Sequence, residues 1–145
     1  MPGTLSMSAA ETGRKREAAR WLTIAADDRT VARVCLDMTP PSMAIAAYHC
    51  QQSIEKIIKG MLVVAGVHFP KTHDLRTLAD LGEIHFPSWR DLFVGSIPLT
   101  GWGHAYRYPG LEEEPPPDES ELLNALAMID RLMEHMRGLV APFGE

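Results

Sequence analysis

The stretch from Ala44 to Gly66, AIAAYHCQQSIEKIIKGMLVVAG, constrains the fold of this chain more than any other. At about 100° per residue, the rotation of an α-helix, it separates into three faces. Ala47, Cys50, Ile54, Ile57, Ile58, Met61 and Ala65 form one continuous apolar face. His49, Gln52, Lys56 and Lys59 step along the opposite side, and Tyr48, Gln51, Glu55 and Leu62 run between the two. A surface helix needs only one apolar and one polar face. This one presents a core face together with an ordered row of hydrogen-bond donors.

The rest of the chain supplies partners for that helix. Residues 1–13 are small and polar and are expected to form a flexible or only partly helical N-terminus. From Arg14 to Met38 the spacing is helical, with Trp21, Ile24, Ala25, Val31, Ala32, Cys35 and Met38 on one face. Asp28 falls inside that face. A carboxylate there needs a partner, because an unpaired buried charge is costly; a neighbouring Arg, Lys or backbone amide would make it a structural polar residue. Pro40 and Pro41 end this helix, Ser42 is placed to cap the next, and Gly66 suits its C-terminal end. Thr72 is expected to cap a short third helix, with Asp74 in its first turn and Gly82 at its stop.

Between residues 83 and 101 Pro87, Gly95, Pro98 and Gly101 interrupt the helical spacing, which predicts one short helix and a loop. Residues 111–118, acidic and proline-rich, read as a mobile loop. Asp118 and Glu121 have capping-box spacing ahead of a strong stripe: Leu122, Ala125, Leu126, Ile129, Leu132, Met133, Met136 and Val140. Arg131 and His135 sit on the polar side of that last helix, and residues 141–145 form a C-terminal tail. The expected architecture is all-α: an antiparallel up-and-down four-helix bundle over residues 14–140, with a fifth short helix near 84–100.

The balance of residues sets limits on function. With 46% hydrophobic and 23% charged residues the composition is that of a single soluble domain. A net charge of −5 argues against indiscriminate nucleic-acid binding but leaves room for a local basic site. Cys35 and Cys50 read as buried, reduced thiols. Without an apolar run of about 18 residues or a basic-then-apolar leader, the expected location is cytoplasmic. The six histidines are scattered and show no zinc-site spacing, and no Walker-type loop occurs, so neither a metal nor a cofactor is expected.

YHCQQSIEKIIKGMLVVAGVHFPKTHDL resembles the central helix and following loop of the HEPN domain family, bacterial stand-alone type. Trp21, Leu22, Ala25 and Asp28 resemble the first helix of such proteins, although family members commonly have Leu where this chain has Arg29. GWGHAYRYPG, with Trp102, His104, Tyr106, Arg107 and Tyr108, resembles the element before their last helix. The resemblance implies a nucleotide- or RNA-binding helical module that commonly forms a homodimer. It also implies a minimal nucleotidyltransferase as partner in a toxin–antitoxin-like pair, with Tyr106 as the residue modified by AMP transfer.

Many HEPN domains are metal-independent ribonucleases carrying Arg, four to six residues, then His. Such a pair is suited to acid–base work on a phosphodiester, with Arg stabilising the crowded negative charge. None of the six histidines has an Arg at that separation; Arg131 and His135 come closest, with three residues between them. His104 occupies the place of the motif's His, yet Ile97, Pro98 and Leu99 supply no Arg. An active enzyme is therefore not expected, and the ribonuclease alternative rests on a degenerate site of His104 and Arg107. For nucleotide binding the candidate contacts are Gln52, Lys56, Lys59, Lys71, His73, His104, Tyr106 and Arg107, which offer cations, donors and a stacking ring. Against this stand plainer readings. Lys56 and Lys59 could form a solvated face, His73 could bond backbone at a helix start, and Arg107 could pack between tyrosines or pair with Asp28. A non-catalytic dimeric scaffold is the remaining alternative.

Overall fold

The computed structural model describes residues 7–103 and 115–143. These form five α-helices: α1 (Ala9–Asp37), α2 (Met43–Val64), α3 (Leu75–His85), α4 (Arg90–Ser96) and α5 (Glu119–Val140). Short 3₁₀ turns at Pro87–Trp89 and Ile97–Gly103 flank α4. The fold is all-helical among the described residues. The long helices α1, α2 and α5 pack on one another, while α3 and the Ile97–Gly103 turn pack on α2 and α4 lies chiefly against α3.

The core follows the α2 pattern closely. Ala47, Cys50, Ile54, Ile57, Ile58 and Met61 are all inaccessible to solvent, and of the expected face only Ala65 is exposed. Every residue of the predicted α5 stripe is buried, and Asp118 caps that helix by accepting from the Glu121 amide at 2.8 Å. Burial pushes the Cys50 thiol up to about 12, which leaves it a packing residue rather than a nucleophile. Gly66 takes φ 71°, the left-handed conformation that lets the Val67 amide reach back to the Leu62 carbonyl at 2.9 Å and close α2.

Three sequence expectations are corrected. The first helix begins at Ala9 rather than near Arg14, because Ser8 accepts the Glu11 amide at 3.1 Å and supplies an N-cap ahead of the flexible stretch that was expected. Its buried face is also rotated: Ala18, Leu22, Ala25, Asp28, Ala32 and Cys35 face the core, while Ile24, Val31 and Met38 are exposed. Small side chains win the core face because α1 runs very close to α2, with the Ala18 carbonyl 3.5 Å from where a Cβ on Gly60 would stand. Third, α3 is capped by Asp74, which accepts the Arg76 amide at 3.0 Å, whereas Thr72 accepts the Asp74 amide one turn earlier. The helix then continues through Gly82 to His85, since a bare glycine is what fits against the Phe93 ring, 3.0–3.1 Å from a built Cβ.

Arg29, where the family pattern commonly has Leu, makes a two-pronged ion pair with Asp130 at 2.9 and 3.0 Å that ties α1 to α5. That bonding raises the guanidinium's hold on its proton. Trp89 and His135 join the start of α4 to α5, their ring centroids 3.5 Å apart, and burial lowers the imidazole's proton affinity. Among the described residues no helix is long and apolar enough to cross a membrane.

Candidate functional site

The polar row of α2 does not lie free in solvent. Two carboxylates organise it. Asp28, on the core face of α1, accepts from Lys56 Nζ at 2.6 Å and bonds His49 Nδ1 at 2.9 Å. Next to it Ser53 donates to the Ala25 carbonyl at 2.8 Å, a buried bond between the same two helices. Asp28 is thus paired as its buried position requires, with Lys56 among the partner types expected and His49 an additional one.

The second carboxylate is Glu55, whose side chain is only 3% exposed. Its Oε2 accepts from Lys59 Nζ at 3.1 Å, and its Oε1 accepts from Gln51 Nε2 at 3.1 Å. His73 Nδ1 reaches both oxygens, at 3.0 and 3.2 Å. Gln51 Oε1 accepts from Gln52 Nε2 at 2.7 Å, and Gln51 Nε2 makes a second, long contact with the His73 carbonyl at 3.5 Å. Lys59 is nearly buried and its ammonium stands 5.9 Å from the centroid of the Trp21 ring, within cation–π range. Buried polar groups are tolerated when each has partners, and here the partners are supplied by residues spaced four apart on one helix: Gln51, Glu55 and Lys59.

Other elements close on this cluster. The connector between α2 and α3 delivers His73. The turn Ile97–Gly103 is pinned to the start of α3 by the Leu75 amide, which donates to Thr100 Oγ1 at 3.0 Å. At the end of that turn Gly103 lies so close to Gln51 that a Cβ built on it would collide with the side-chain amide. Glycine is the residue that permits this approach.

The sequence-derived residues therefore divide into groups. Gln52, Lys59 and His73 gather around Glu55, and Lys56 and Asp28 form the neighbouring pair on α1 and α2. Lys71 is exposed and makes no ion pair among the described residues. His104, Tyr106 and Arg107 lie outside the described residues. The plainer reading of Lys56 and Lys59 as a solvated face is corrected, because both ammonium groups are held by carboxylates. His73 is likewise fixed through its ring by Glu55, rather than by backbone as the plainer reading had it. The sequence reading missed Glu55 and Gln51 as organising residues, although their spacing to Lys59 was the signal that could have found them. It also missed His49 as the second partner of Asp28.

A carboxylate that holds one ring nitrogen of a histidine leaves the other nitrogen to face outward. The His73 side chain is 82% exposed while its anchor is buried. This is a polar surface prepared to offer directed hydrogen bonds, with a mobile cation at Lys71 nearby in sequence. Among the described residues no group of three or more His, Cys, Asp or Glu side chains is arranged to hold a metal ion.

A family model described as HEPN domain matches residues 18–139, most of the chain. No curated protein and no solved structure matches it.

Proposed function

The chain belongs to the HEPN domain family, whose members are helical modules tied to nucleotides and RNA, and we propose that this one binds a nucleotide or RNA at the Gln51–Glu55–His73 cluster. The observation that carries the reading is convergence: the α2 row, the α2–α3 connector and the Ile97–Gly103 turn meet at Gln51 and Glu55. Keeping so many polar groups in the middle of a core helix costs stability unless every one is paired, and a pre-organised first contact shell is a reason to retain them. In this reading Lys56 and Lys59 hold Asp28 and Glu55 in place. Direct contacts fall to Gln52, Lys71 and His73, joined by His104, Tyr106 and Arg107.

The test is the melting temperature across a panel of ribonucleotides and short single-stranded RNAs. A true ligand at about 100 times its Kd should raise the midpoint by roughly 5–10 °C. Lys71→Ala and Arg107→Ala should each shrink that rise, and a panel without any shift contradicts the proposal.

The exposed apolar row Ile24, Val31, Val34 and Met38 on α1 supports a homodimer through that helix. A monomeric mass in solution at micromolar concentration contradicts it.

A further inference from the structure

The Glu55 carboxylate already receives Lys59 Nζ on Oε2 and Gln51 Nε2 on Oε1, both of them donors without acceptor capacity at the bonding atom. Glu55 is thus the acceptor in this cluster, and the third group that reaches it, His73 Nδ1, supplies an N–H. With the proton on Nδ1, the neutral imidazole carries its lone pair on Nε2. The ring is fixed at one edge by a buried anchor, and its other edge lies in solvent, as its 82% side-chain exposure shows. A histidine kept only to clip the connector to α2 would bury its ring, since packing would then strengthen the clip. This ring instead presents an oriented hydrogen-bond acceptor to the outside.

From this geometry we infer that His73 Nε2 accepts a hydrogen bond from a ribose hydroxyl, so that the site selects ribonucleotides over deoxyribonucleotides. The inference rests on the nucleotide- or RNA-binding reading above and adds the sugar to it. A 2′-hydroxyl is the one group that separates RNA from DNA at a given contact, and it serves as a donor to an acceptor placed in its path. A phosphate oxygen cannot donate to a lone pair, so the fixed tautomer favours hydroxyl over phosphate at this atom. Phosphate contact is left to Lys71, which is exposed two residues away in sequence.

The experiment measures binding by the full-length protein of a fluorescein-labelled single-stranded RNA dodecamer, the DNA of the same sequence, and the fully 2′-O-methylated RNA. Loss of one such hydrogen bond should weaken binding about tenfold. The expected order is RNA tightest, with DNA and methylated RNA both weaker by that factor. In His73→Ala all three should bind alike at the weaker level, and its melting temperature, recorded in parallel, establishes that the variant is folded. Equal binding of the three probes by the parent protein overturns the sugar inference and leaves the binding reading standing. Discrimination that persists in folded His73→Ala overturns it too, and assigns His73 the role of a clip. Absence of binding to every probe overturns both readings together. Because the methylated probe acts on the parent protein, the result does not depend on the variant folding.

Discussion

Replacing Glu55 with alanine should lower the unfolding free energy by about 3–5 kcal/mol, the range for removing one partner from a buried charge pair. The size follows from what is left behind. Lys59 is 10% exposed and would keep an ammonium inside the protein with no counter-charge. Gln51 would lose the acceptor for one of its two N–H groups, and His73 would lose its anchor. Glu55→Gln keeps the shape and one acceptor oxygen and should cost less than alanine, while still leaving Lys59 without its counter-charge. Chemical denaturation of the variants gives the answer directly. A loss under about 1 kcal/mol for Glu55→Ala, the level typical of exposed pairs, would mean that the Glu55 cluster is solvated and that its geometry organises nothing.

Gly60→Val should destabilise by about 2–3 kcal/mol through overpacking. Gly60 is where α1, α2 and α5 come closest. A Cβ built there would collide with the Met136 terminal methyl and stand 3.0 Å from Trp21 Cβ. Met136 is flexible and can retreat, whereas the Trp21 Cβ moves only with the α1 backbone. Gly60→Ala is a sharper comparison, because replacing a helical glycine with alanine contributes up to about 1 kcal/mol of helix propensity. Alanine should therefore be much better tolerated than valine, and a neutral Gly60→Val would contradict the close approach of these helices.

The long elements were legible because their signals are periodic. The α2 face and the α5 stripe are buried almost as the spacing implies, since a 3.6-residue repeat of large aliphatic residues has one stable use in water. The first helix was misread for an instructive reason. Hydrophobicity favoured Ile24, Val31 and Met38, but packing distance favoured the alanines, and close helix–helix approach overrode side-chain size. Helix boundaries moved for local reasons: Ser8 and Asp74 supply caps that compete with later or earlier candidates.

The site was legible in membership and less so in arrangement. Gln52, Lys56, Lys59 and His73 were picked out for the donors they carry, yet what organises them is a pair of acids. Asp28 was noticed because a charge on an apolar face needs explanation. Glu55 was not, because an acid four residues from a lysine on a helix is ordinarily a solvated pair. Only the packing of the connector and of Gly103 over that stretch makes it a buried one.

The measurement closest to the central claim is an NMR titration of the isotopically labelled protein with a short single-stranded RNA. The side-chain amide signals of Gln51 and Gln52 and the ring signals of His73 would be followed. The account predicts that these shift first and saturate together, while amides on the exposed α1 face around Val34 stay still. Binding that perturbs the α1 face and leaves Gln51, Gln52 and His73 unmoved would contradict it, as would a spectrum indifferent to RNA.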